Sequence, residues 1–124
     1  MITSRNHTQT LGQQGEQLVA QWLTARHFTI LAQNYRTKAG EVDVIARKGE
    51  LVVFVEVKTR STAYFATSTV VTYGKQQKVG RAAQHFVLQN RFFDHVLRFD
   101  VATLARQSDG SFSIEYIENA FVPQ

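Results

Sequence analysis

The stretch that most limits the fold is Gly40-Glu41-Val42-Asp43-Val44-Ile45, followed closely by Phe54-Val55-Glu56-Val57-Lys58. Two runs rich in Val, Ile and Phe read as adjacent β-strands joined by the turn signal Arg47-Lys48-Gly49-Glu50. Yet Glu41, Asp43, Glu56 and Lys58 stand where strands normally bury apolar side chains. Burying a carboxylate or ammonium alone is expensive, so such groups pair with each other or hold a metal. Acids grouped in this way with a lysine point to metal-dependent chemistry on phosphate esters. The competing reading is an internal Lys–carboxylate pair without catalytic duty.

Spacing sharpens the choice. Strand side chains alternate faces, so Glu56 and Lys58 share a face with Val52 and Phe54, and Glu41 and Asp43 share one with Ile45. With Lys48-Gly49 as a two-residue hairpin loop, Arg47 pairs with Glu50, Asp43 lies opposite Phe54, and Glu41 lies opposite Glu56. Asp43 is then diagonal to Glu56, about 7–8 Å away at the backbone, a gap two carboxylates can close onto one cation. A three-residue loop would send Asp43 to the other face. A hard cation such as Mg2+ or Mn2+ takes one or two carboxylates, waters and substrate phosphate. Asp43 and Glu56 supply the carboxylates in this reading, and the Val57 carbonyl adds a third oxygen. Lys58 is the nearest cation, placed to orient a water or to stabilise transition-state charge.

Around this core the pattern reads α-β-β-β-α-β-β. Leu11, Gly15, Leu18, Val19, Trp22 and Leu23 recur at helical spacing, giving an amphipathic helix from about Gly12 to Arg26. Glu16 falls within about 40° of Ala20 on its inward stripe, where an acid needs a partner. Strands are expected over Phe28–Tyr35, Glu41–Arg47 and Leu51–Thr59, the last apolar on both faces and therefore central. Ser61–Tyr73 reads as an irregular, mobile connection, with Tyr64, Phe65 and Tyr73 as aromatics. A second helix runs from about Lys75 to Asn90 on the stripe Val79, Ala82, Ala83, Phe86 and Val87. Val96–Ala105 and Phe112–Ile117 complete a mixed central sheet flanked by helices, an α/β fold. Residues 1–10 look like a flexible polar lead-in, and 11–124 form a single domain.

Composition bears on the partner. The chain has 124 residues, no cysteine and a net charge of +4, so thiolate chemistry and cysteine-held zinc are excluded. From Lys58 to Arg91 inclusive stand six Lys or Arg residues and no acid, a one-signed stretch suited to a polyanion or simply to a solvated face. Arg36, Lys38, Arg60, Lys75, Lys78 and Arg81 are the candidate contacts to a phosphate backbone. The four histidines lack zinc-ligand spacing, and no apolar run approaches membrane-spanning length. A cytoplasmic protein is the expectation.

These residues resemble the PD-(D/E)XK nuclease superfamily, with its restriction-endonuclease-like core, and more closely the YraN-like family of small bacterial proteins assigned to it. The matching stretches are Gly15-Glu16 through Ala20, Asn34-Tyr35-Arg36, Ala39 through Arg47, Val53 through Arg60, Lys75-Gln76, Arg81-Ala82-Ala83, Arg98 through Val101, and Asn119-Ala120-Phe121. By position, Asp43, Glu56 and Lys58 correspond to the motif's aspartate, acid and lysine, and Glu16 to the helix-borne glutamate of junction-resolvase-like branches. Val42 stands before Asp43 in place of the motif's proline, a departure this family usually tolerates, and Val71–Lys75 lacks the proline often found before the second helix.

The resemblance implies a Mg2+- or Mn2+-dependent nuclease acting on DNA, in repair or recombination. Glu16, Asp43, Glu56 and Lys58 would be its catalytic set. Junction-cutting enzymes commonly work as dimers, so a homodimer is a further expectation. The alternatives are a non-catalytic nucleic-acid-binding module and an assembly component on the same fold.

Overall fold

A computed structural model describes residues 9–60 and 71–123. The lead-in up to residue 8 and most of the connection expected over Ser61–Tyr73, including Tyr64 and Phe65, lie outside the described residues. The elements are α1 (Leu11–Ala25), β1 (Thr29–Arg36), β2 (Glu41–Lys48), β3 (Leu51–Arg60), α2 (Tyr73–Asn90), β4 (Val96–Arg106) and β5 (Phe112–Ile117). This is the α-β-β-β-α-β-β order of a restriction-endonuclease-like fold.

Local chemistry sets the element ends. Thr10 caps α1 in a reciprocal capping box with Gln13. At the other end His27, at φ 73°, and Phe28 return their N–H groups to Thr24 and Leu23, closing the helix in a Schellman turn. Thr72 caps α2 by accepting the Lys75 N–H, which starts that helix two residues before the expected Lys75.

The five strands lie in the order β1-β2-β3-β4-β5. All pairs are antiparallel except β3–β4, whose parallel pairing requires the α2 crossover. Val52 to Val55 are fully buried, as a central strand covered on both sides requires. Ile45, Val52 and Phe54 pack with Val79, Ala82, Ala83 and Phe86 of α2. Val44, Ala46, Val53 and Val55 pack on the opposite side with Val19 and Leu23 of α1.

The hairpin register differs from expectation. Lys48 pairs with Leu51, so the two-residue loop is Gly49-Glu50, not Lys48-Gly49. Gly49 takes φ 60° at the first loop position, the place a type II′ turn reserves for glycine. The shift is two residues, so facing parity survives, but Phe54 sits opposite Ile45 and not Asp43.

Candidate functional site

The site lies where the β2–β3 ladder stops. Cross-strand pairing runs from Lys48–Leu51 to Val44–Val55 and goes no further. Val42 joins the core on the α2 side while Val44 joins that on the α1 side, although a regular strand would send both the same way. Asp43 sits at this twist. Asn34, at φ 53°, stands beside it in β1, between the pairs Gln33–Val44 and Tyr35–Val42. With the ladder open, the Asp43 carboxylate takes the Val57 N–H at 2.8 Å. The Val57 carbonyl faces the same strand edge as its N–H, as in any extended segment, so it lies on the β2 side of β3.

Glu56 is buried on β3. One oxygen, Oε2, lies 3.5 Å from the Lys75 ammonium, and the other, Oε1, is buried without a hydrogen-bond partner among the described residues. Burial, and then the Asp43 charge, push the Glu56 carboxyl up to about 7. Burial also raises Asp43, against the opposing pull of the Val57 N–H. Two carboxyls held this way are poorly served by their protein surroundings alone. Lys58, two residues along β3 and partly buried, contributes a favourable charge to Glu56.

Glu41 is not opposite Glu56 as the expected register had it. It lies nearer the entrance, 3.0 Å from Lys75 and 3.8 Å from Arg36. The Lys75 hydrogen bond and charge hold Glu41 below the usual carboxylate range. Glu16 reaches the same region from α1 and accepts a 2.8 Å bond from the Asn34 side chain. Burial raises its carboxyl despite that bond, and the charges of Asp43 and Glu41 add to the rise. Among the described residues no three His, Asp or Glu side chains gather into a ready-made metal cage. Asp43 and Glu56 are therefore the pair to consider, with Glu16 at a remove.

The basic residues divide into groups. Arg36, Lys38 and Arg81 line a cavity of about 550 Å³ between the β1–β2 turn and α2. Arg36, Lys38, Lys75 and Lys78 line an adjoining one of about 280 Å³ that also includes Glu41, while neither Asp43 nor Glu56 lines it. Gly40 lets the turn seat this closely, since a Cβ there would fall 1.8 Å from the Lys78 carbonyl oxygen. The Tyr35 hydroxyl, 2.6 Å from His85 Nδ1, ties β1 to α2 behind it. Arg60 closes β3 beyond Lys58 and lines neither cavity.

Lys75 is the residue whose place the sequence reading missed. Expected as a phosphate contact, it turns inward between Glu41 and Glu56. The signal was present: Lys75 precedes Val79 by four residues, on the stripe that α2 buries.

Comparison with known proteins places the chain in a family. The model of the Uncharacterised protein family UPF0102 matches residues 15–104. The chain belongs to UPF0102. A UPF0102 protein of Geotalea daltonii is 41% identical over 118 residues, covering 94% of this chain and 93% of that one. One from Alkaliphilus oremlandii is 43% identical over 114 residues, covering 90% and 97%. A third, from Treponema pallidum, is 40% identical over 100 residues, covering 79% of each. The span matched by the UPF0102 model contains Glu16, Glu41, Asp43, Glu56, Lys58 and Lys75 together. Among the described residues no helix is long and apolar enough to cross a membrane.

Proposed function

We propose that this UPF0102 protein is a Mg2+- or Mn2+-dependent nuclease that hydrolyses phosphodiester bonds in DNA, in repair or recombination. The observation that carries the reading is a pair of interacting buried carboxyls, Asp43 and Glu56, with the Oε1 of Glu56 given no N–H donor among the described residues. An oxygen donor set of this kind fits a hard divalent ion, with Asp43, Glu56 and the Val57 carbonyl as its protein ligands. When bound, such an ion acidifies a water and offsets charge on the scissile phosphate. The chain's own residues do the rest. Asp43 and Glu56 would hold the ion at a fixed place on β3. Lys58 stands on the same strand to orient the attacking water and to meet negative charge as it develops on the phosphate oxygens. Glu16, held by Asn34 at a remove from the pair, is the carboxylate that could accept a proton from a second water. Arg36, Lys38, Lys78 and Arg81 hold the flanking backbone, and Arg60 extends that surface along β3.

The test is incubation of purified protein with single-stranded, duplex and branched DNA in Mg2+ or Mn2+. Cleavage is expected, falling on the order of a hundredfold or more in Asp43→Asn and in Lys58→Ala. Intact DNA in every case, with both variants indistinguishable from wild type, overturns the reading.

A second reading has an observation of its own. Lys75 supplies an internal cation to Glu41 and Glu56, as a structural ion pair would. On that reading the fold holds nucleic acid or an assembly partner without cutting, and the protein binds DNA equally well with and without divalent metal.

A further inference from the structure

Lys75 is in an electrostatically awkward place. It lies in the first turn of α2, which has no acid there, and the positive end of a helix dipole disfavours a cation. The Thr72 cap fixes its backbone, so it is not at a frayed end. Its ammonium nevertheless points into the site, 3.0 Å from Glu41 Oε2 and 3.5 Å from Glu56 Oε2. Its side chain is about one-third exposed, at 30%, while that of Glu56 is at 9%, so the lysine has a way out that the glutamate lacks. That way out is the basic cavity lined by Arg36, Lys38 and Lys78.

We propose that Lys75 is the resident counter-ion of the carboxylate site and exchanges with the divalent ion. This rests on the metal-site reading above and adds a residue to it. Without metal, the ammonium bridges Glu41 and Glu56 and stands in for part of the missing positive charge. A divalent ion on Glu56 repels an ammonium at the same carboxylate, so the weaker 3.5 Å contact is the one that breaks. The shorter contact to Glu41 serves as the pivot. The four-carbon stem then carries the charge into the adjoining cavity, where it meets a substrate phosphate. Glu41 is a positioning residue in this account, since it holds the lysine in both states. Metal loading and formation of the full phosphate-binding surface become one event.

The experiment is calorimetric titration of Mn2+ alone, with no nucleic acid, into wild type, Lys75→Gln and Asp43→Asn, with a melting curve for each. Removing one like charge from beside the ion should tighten Mn2+ binding by on the order of tenfold in Lys75→Gln. Asp43→Asn should abolish binding. Equal or weaker binding in Lys75→Gln, with wild type still binding, overturns the exchange and leaves the metal site standing. Absence of binding in both wild type and Lys75→Gln overturns the metal site and the exchange together. Should Lys75→Gln fail to fold, the lysine ammonium resonances of the wild type decide by NMR. A protected Lys75 signal that shifts or vanishes on saturation with Mg2+ supports exchange, and one that stays unchanged contradicts it.

Discussion

Glu56 has one oxygen 3.5 Å from an ammonium and the other buried with no partner, and its titration should show it. Its carboxyl is raised from 4.5 to about 7, so between those values the folded chain keeps a proton that the unfolded chain has lost. Stability of the metal-free protein should therefore fall as pH rises through that window, with Asp43 acting in the same direction. Urea unfolding at a series of pH values checks this, and Glu56→Gln should remove most of the slope. Divalent-ion affinity should run the opposite way and rise over the same window, because the carboxyls must lose their protons to bind. These residues were legible in the sequence because charge inside an apolar strand is improbable without a purpose. Which cation already serves them was not, because Lys75 comes from a distant helix and its contact depends on how α2 docks.

At the scale of elements, two glycines set how closely the layers approach. Alanine at Gly15 would gain roughly 1 kcal/mol of helix propensity in α1. Its Cβ, however, would fall 2.0 Å from Thr59 Oγ1 on β3, and the clash decides the sign. Gly15→Ala should destabilise by about 1–3 kcal/mol, and adding Thr59→Ala should recover much of that loss. Gly40→Ala meets backbone at Lys78, which cannot rotate away, so it should cost at least as much with no side-chain rescue. Chemical denaturation of the four variants, including Thr59→Ala alone, measures both effects. The glycines were visible in the sequence, but their neighbours were not. The hairpin shows the same limit: Gly49 marked the turn, and whether it came first or second in the loop depended on the pairing of Lys48 with Leu51. The twist at Asp43 was likewise hidden, since alternation assumes a regular strand.

Across the whole molecule, acid and base meet at the β1–β2 turn, where Glu41 lines the smaller basic cavity with Arg36, Lys38, Lys75 and Lys78. A backbone tracking this surface would pass from Arg81 toward the carboxylates. Duplex DNA affinity should then fall steeply with salt, and Lys38→Ala with Arg81→Ala should reduce the logarithmic slope by about 1.8, close to 0.9 per lost phosphate contact. Fluorescence anisotropy over a salt series reads it directly, and an unchanged slope would place the DNA elsewhere. The central place of β3 and its two covered faces followed from pattern alone, because β3 is apolar on both sides and only a central strand is buried that way. The meeting of acid and base did not, since it is made by a turn closing on a helix nearly forty residues away, from Gly40 to Lys78.

Crystals grown without metal and then soaked in Mn2+ put the matter most directly, by anomalous scattering at the manganese edge. A peak is expected between the Asp43 and Glu56 carboxylates, within ligand distance of the Val57 carbonyl oxygen, with the Lys75 ammonium displaced from Glu56. A map with manganese bound elsewhere and Lys75 still bridging Glu41 and Glu56 would contradict it.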